Sequence, residues 1–238
     1  MTTDHKPVVV LIPGMGNNAR IWTDQVHELS DDYEVIVADY SGAESIDEMA
    51  DTVLAQVPAG SFSLVGFSLG GYIAMSIIDR VGERIERLAL VSSSPYADTE
   101  QAVQQREFLI SKAQQNYNAV LEDMGQFIVF ADGPHAENAR EVLTIMGQEL
   151  GAEEFCRQQR ATMKRADCRD LLGSIRCPVR VLCGRDDPVT PVNGNRHLAD
   201  NIRGASLQIL DDTGHLLPLE RPAEVNGFLR DWLQQPVC

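Results

Sequence analysis

Six short aliphatic runs, largely β-branched, place the strongest constraint on how this chain folds. They are Val8-Val9-Val10-Leu11-Ile12, Tyr33 to Ala38, Phe62-Ser63-Leu64-Val65, Leu88-Ala89-Leu90-Val91, Val179-Arg180-Val181-Leu182-Cys183 and Ala205 to Leu210. Runs that are apolar throughout, rather than alternating with polar residues, suit strands buried on both faces. Pro13-Gly14, Gly66 and Gly184 close three of them, and a serine run with Pro95 closes a fourth. Helical spacing fills several of the gaps. Ile46 to Gln56 carries Ile46, Met49, Ala50, Val53 and Leu54 near one face, and Leu69 to Val81 carries Ile73, Ala74, Ile77 and Ile78. Ala223 to Leu233 sets Val225, Phe228, Leu229 and Trp232 on one stripe. Strands joined through helices predict an α/β fold with a mostly parallel twisted sheet and right-handed crossovers. At 238 residues one such domain has room for a sizeable core. We find no internal repeat and no low-complexity tract.

The strand signal disappears between about Thr99 and Leu172. This stretch is rich in Gln, Glu and Ala, with helical spacing in Phe108-Leu109, Met124, Phe127-Ile128 and Val142-Leu143-Ile145-Met146. Breaks are expected at Asp132-Gly133-Pro134 and near Gly147 and Gly151. The division predicted is a core over 1–98 and 173–238, with 99–172 as an inserted helical cap. An insertion this long, with helices of its own, is suited to covering a site. Its Phe108, Met124, Phe127, Phe130 and Met146 either line a pocket or pack the insertion onto the core.

Composition excludes several functions. The 35 acidic and 20 basic residues give a formal charge of −15, which would repel nucleic acid and anionic membranes. No apolar run approaches the ~18 residues of a membrane span, and the start Met1-Thr2-Thr3-Asp4-His5-Lys6-Pro7 lacks the regions of a signal peptide. Cys156, Cys168, Cys177, Cys183 and Cys238 are odd in number without Cys-x-x-Cys spacing, which points to reduced thiols in a cytoplasm. Zinc-finger spacing, a Gly-x-x-x-x-Gly-Lys loop and a dinucleotide fingerprint are all absent, so no metal or cofactor is expected.

Gly66-Phe67-Ser68-Leu69-Gly70 stands between an apolar strand and an apolar helix, the setting of a nucleophile elbow. The turn is sharp enough to need small residues two positions either side of the serine. It lifts the hydroxyl off the end of the sheet and aims the helix N-terminus at the site, favouring negative charge there. A serine hydroxyl needs a base. His5 lies in a fraying start, His27 in a polar helical stretch, and His197 on a solvated helix face beside Asn195, Arg196, Asp200 and Asn201. His135 follows Gly133-Pro134 in a turn. His215, in Asp211-Asp212-Thr213-Gly214-His215, follows the last strand, at the end of a parallel sheet where ligands gather. We expect His215 to be the base.

An acid must hold the base's tautomer. Gly184-Arg185-Asp186-Asp187-Pro188 follows the fifth strand, and either aspartate suits the role. Asp187 is preferred because Pro188 fixes the backbone after it, with Asp186 as the alternative. Asp98 lies too far beyond the fourth strand, and Asp211 and Asp212 lie too near His215 in sequence. The tetrahedral intermediate also needs donors. The elbow supplies the Leu69 N–H, and the loop Pro13-Gly14-Met15-Gly16-Asn17-Asn18 is expected to supply the Met15 N–H.

Taken together, Pro13-Gly14-Met15-Gly16 with Trp22, Asp39-Tyr40-Ser41-Gly42-Ala43-Glu44-Ser45, the elbow with Gly71, Gly184-Arg185-Asp186-Asp187 and Gly214-His215 resemble the α/β-hydrolase superfamily. The resemblance spans the chain and is to the small bacterial esterase and lactonase-like branch with a helical cap. Its Gly-x-x-Asp pattern places the acid at Asp187. The superfamily usually has His-Gly at Pro13-Gly14, which bears on the oxyanion-loop geometry. It tends to read Asp-x-x-Gly-His-Gly-x-Ser where this chain has Asp39 to Ser45, implying a different wall at the pocket entrance. The resemblance implies a carboxylesterase-type serine hydrolase acting on a small-molecule ester through an acyl-enzyme. Trp22, Phe67, Met124 and Phe127 are the expected pocket residues. A C–C hydrolase, lactonase, thioesterase or perhydrolase would use the same triad, and a hydrolase-like ligand receptor is the non-enzymatic alternative. Haloalkane dehalogenases and epoxide hydrolases carry aspartate where this chain has Ser68.

Overall fold

The computed structural model describes residues 6–236. The readings of residues 1–5, His5 included, and of Cys238 lie outside them. In chain order the elements are β1 (Val8–Ile12), α1 (Thr23–Leu29), β2 (Glu34–Val37), α2 (Ile46–Leu54), β3 (Phe62–Phe67), α3 (Leu69–Val81) and β4 (Ile85–Val91). Then follow α4 (Glu100–Ile128), α5 (Ala136–Met163), α6 (Arg169–Leu172), β5 (Val179–Gly184), α7 (Val192–Asn201), β6 (Ser206–Leu210), α8 (Leu217–Glu220) and α9 (Pro222–Leu233).

All six strands pair in parallel in the order β2-β1-β3-β4-β5-β6. This is an α/β-hydrolase fold. Successive side chains point to opposite faces of a strand. Val10, Ile12, Leu64, Leu88 and Val181 therefore join the core beneath α2, α3 and α7. Val9, Leu11, Val65, Phe67 and Val91 join a second core with Trp22 and Trp232, beneath α1 and α9. Both faces of the sheet are covered, which is why its strands lack polar alternation. Ser45 caps α2, accepting the Glu48 N–H at 3.1 Å.

Element boundaries differ from expectation where backbone pairing extends beyond the apolar run. β3 continues to Phe67 because Gly66 and Phe67 pair with Leu90 and Val91. β4 begins at Ile85 and takes Glu86 and Arg87 into the strand. The chain between β4 and β5 is helical. α4 kinks at Asn116 (φ −156°, ψ 89°) and α5 kinks at Gly151 (φ 83°). The expected break at Gly147 does not occur. That glycine is buried within α5 against Leu121 of α4, where a side chain would collide. Ile110, Ala113, Val120, Phe155 and Cys156 give α4 and α5 a small core of their own. No helix among the described residues is long and apolar enough to cross a membrane.

Candidate active site

Only between β1 and β3 does the strand order reverse direction, and α/β sheets bind ligands at the carboxyl ends of strands beside such a reversal. Ser68 follows β3 there and adopts φ 53°, ψ −114°. Such a left-handed conformation costs a non-glycine residue about 1–3 kcal/mol. Neighbouring bonds hold it: the Ser68 N–H donates to the Val91 carbonyl at 2.9 Å, and the Ser68 carbonyl accepts from Gly71 N–H at 2.9 Å and Ser93 Oγ at 3.1 Å. The turn is tight enough that a β-carbon on Gly66 would lie 2.5 Å from the Gly70 carbonyl oxygen.

His215 Nε2 lies 2.9 Å from Ser68 Oγ, and His215 Nδ1 lies 2.8 Å from Asp187 Oδ2. Asp187 is buried, and its carboxylate also accepts from Val189 N–H (2.8 Å), Thr190 N–H (2.9 Å) and Thr190 Oγ1 (2.7 Å). Burial pushes this carboxyl upward. The neighbouring His215 and the Thr190 donors outweigh that and hold it well below the ordinary carboxylate range. Asp186 is exposed, with its backbone N–H bonded to the Thr213 carbonyl. Asp211 pairs with Arg185, and Asp98 with Arg106 and Arg165. Of the other histidines described, His27 and His135 are exposed, and His197 packs on Tyr96.

Ser68 opens onto a cavity of about 650 Å³ that Met15, Leu69, Met124 and Phe127 help to line. Met124 is half-buried, while Phe127 stands 66 % exposed. Phe108, also on the wall, is 60 % exposed. Trp22 and Phe67 depart from the expectation: both are fully buried behind the site and line no part of this cavity. The Phe67 ring lies 5.3 Å from the His215 ring, and Trp22 meets Phe67 edge-on at 6.1 Å. They face inward because β3 and the turn before α1 turn these positions towards the second core. Met146 is core, and Phe130 borders a separate surface depression. The N–H groups of Met15 and Leu69 have no protein acceptor among the described residues. The Leu69 N–H stands free because the first turn of a helix supplies no acceptor.

Three supporting residues escaped the sequence reading. Thr190 clasps Asp187, and its signal is the Asp-Pro-Val-Thr turn. Asn195 of α7 is fully buried, donating to the Thr190 carbonyl at 2.9 Å and accepting from Ser93 N–H at 3.1 Å. It has no signal beyond a polar residue on a helix. Glu220 is buried at the end of α8, where its carboxylate accepts Gly214 N–H and Phe130 N–H at 2.9 Å and Leu216 N–H at 2.8 Å. Two of those donors flank His215. Burial raises this carboxyl above its ordinary range, against the pull of the three donors. An acid closing the apolar run Leu216-Leu217-Pro218-Leu219 is its sequence signal. Among the described residues no group of three or more His, Cys, Asp or Glu side chains is placed to hold a metal.

This geometry on a doubly covered parallel sheet defines a hydrolase of the α/β-hydrolase class. The sequence profile of the alpha/beta hydrolase family matches residues 9–228, and the chain belongs to that family. It is 27 % identical to RutD of Yersinia enterocolitica, which carries a provisional carbamate hydrolase name, over 94 % of this chain and 86 % of RutD. It is also 27 % identical to the pimeloyl-[acyl-carrier protein] methyl ester esterase of Chromobacterium violaceum, over 90 % of this chain and 89 % of the esterase. An esterase from Exiguobacterium antarcticum shares its fold with a TM-score of 0.87 at 21 % identity, over 97 % of this chain and 93 % of that one. The enol-lactonase of Burkholderia xenovorans LB400 does so at 0.84 and 23 %, over 99 % of this chain and 94 % of that one.

Proposed function

We propose that the protein is a serine hydrolase that cleaves carboxylic esters of small acyl substrates through an acyl-enzyme. The hydrogen-bonded line from Asp187 through His215 to Ser68, with contacts of 2.8 and 2.9 Å, carries this reading. His215 accepts the Ser68 proton as Ser68 Oγ attacks the carbonyl carbon, and Asp187 orients the ring and stabilises the imidazolium. The Met15 and Leu69 N–H groups receive the oxyanion; each such donor is worth about 3 kcal/mol. The imidazolium returns its proton to the leaving alkoxide. Water then attacks the acyl-enzyme with His215 again as base, and the acid is released.

The helical segment from α4 to α6 is proposed as the cap whose residues select the acyl group. The methyl ester named for the Chromobacterium relative supports the ester class. The same groups would serve a carbamate, lactone or thioester, since each presents a carbonyl carbon to Ser68. Turnover of short p-nitrophenyl esters is expected in the wild type, beside matched carbamates, lactones and thioesters. Ser68→Ala is expected to lose activity on the order of 10⁶-fold. Undiminished turnover in that variant would refute the assignment, and the preferred member of the panel names the bond.

A further inference from the structure

The direction of the Met15 N–H decides whether the proposed oxyanion hole exists. That direction belongs to the Gly14–Met15 peptide group, in which C=O and N–H point opposite ways. The Gly14 carbonyl accepts the Tyr40 hydroxyl at 2.8 Å and the Asn17 N–H at 3.2 Å. Tyr40, buried in the loop after β2, also lies 3.0 Å from the Pro13 carbonyl, so its single hydroxyl proton is shared between the two carbonyls. One phenol thus gathers both carbonyls on the far side of the loop.

The next peptide group, Met15–Gly16, is held by a different element. The Gly16 N–H donates to Gln158 Oε1 at 2.8 Å. Gln158 lies buried on α5, 142 residues away in sequence. Its Nε2 donates to Glu154 Oε1 at 3.1 Å, and Glu154 Oε2 accepts the Gly42 N–H at 3.1 Å. The relay therefore returns to the loop that carries Tyr40. Met15 sits between two glycines, and Gly16 adopts φ +67°. Glycines leave both flanking peptides free to rotate, and among the described residues the Asn17 N–H bond to the Gly14 carbonyl, at 3.2 Å, is the one restraint on the Met15 N–H from inside the loop.

We infer that Tyr40 and Gln158 are positioning residues that preset the oxyanion hole, each fixing one of the two peptide planes that flank Met15. This rests on the serine-hydrolase reading above. Neither residue touches the reacting atoms; each acts through the loop. Burial, reinforced by the charges of Glu154 and Asp39, pushes the Tyr40 phenol far above its ordinary range, so it stays protonated and donates throughout any practical assay.

Tyr40→Phe deletes one oxygen and keeps the ring, while Gln158→Met deletes the acceptor and keeps the length. Both variants are compared with wild type for kcat and KM on a short p-nitrophenyl ester. Inhibition by an alkyl boronic acid, whose tetrahedral adduct on Ser68 places an oxygen in the hole, is measured in parallel. Binding of the product carboxylic acid and the thermal midpoint are the controls. Each variant is expected to lose about tenfold in kcat and to bind the boronate correspondingly more weakly, with KM and product affinity within about twofold. A fall in thermal midpoint alone, or a rise in KM alone, overturns the inference. If Gln158→Met does not fold, Tyr40→Phe decides it. A wild type inactive on every ester removes the hydrolase reading and this inference together. An active wild type matched by both variants overturns this inference alone.

Discussion

Asp187 and Asp186 are adjacent in sequence, yet only Asp187 is buried against His215. The preference for Asp187 is legible in Pro188, which commits the backbone just after it, and in the glycine three residues before it. The clasp by Thr190 is not legible, because a threonine in a turn has many other uses. Asp187→Asn keeps the shape but presents an amide donor to His215 Nδ1, favouring the wrong tautomer. We expect a loss in kcat of about 10⁴-fold with the fold intact. The same residue sets a pH dependence. Its folded-state pKa is depressed, so its stabilisation is fully present above the unfolded carboxyl value of about 3.9 and is lost as pH falls towards the folded value. Below about pH 4 the wild-type thermal midpoint should fall more steeply than that of Asp187→Asn. Parallel curves from pH 3 to 7 would contradict this.

Among the elements, the strands and α2, α3 and α9 follow their apolar periodicity closely, since a buried face must be apolar whatever it packs against. The α4–α5 pair does not. Gly151 breaks α5 in the way a glycine often does, whereas Gly147 stays helical because Leu121 of α4 fills the space a side chain would need. Only the partner helix decides between those two outcomes. The placement of Trp22 and Phe67 follows the same rule, since the aromatic character shows in the sequence but the face it occupies depends on neighbours. Glu220 joins elements in a similar way. It grips the residues either side of His215 together with Phe130, and the His215 N–H donates to the Ile128 carbonyl at the end of α4 at 2.7 Å. Glu220→Gln replaces one accepting oxygen by an NH₂ aimed at backbone donors. A loss of about 1–3 kcal/mol in unfolding free energy is expected, with reduced kcat as the His215 loop loosens. Urea denaturation and steady-state kinetics check the two effects, and a variant equal to wild type in both would show the carboxylate to be dispensable.

At the scale of the molecule, six parallel strands are legible but their order is not. β1 must pair with both β2 and β3, and nothing local to Val8–Ile12 specifies two partners. Once that order forms, the loops after β1 and β3 meet beside Ser68, and the remaining problem is how the helical segment is fastened above them. Asp98 is one fastening. It follows β4, is nearly inaccessible, and receives Arg106 Nε of α4 at 2.6 Å and Arg165 Nη1, beyond α5, at 2.5 Å. A lone exposed pair would contribute little. Here one buried carboxylate balances two guanidiniums whose side chains are only 21 % and 7 % exposed, so its removal leaves two confined positive charges. Asp98→Asn should therefore cost about 3 kcal/mol. Arg106→Gln leaves Asp98 and Arg165 as a balanced pair and should cost clearly less. Adding Arg106→Gln to Asp98→Asn should restore part of the stability, because one unpaired cation then remains in place of two. Denaturant midpoints for the two single variants and the double variant measure this coupling. Strictly additive losses would mean that the charges act independently and that apolar packing alone holds the helices over the sheet.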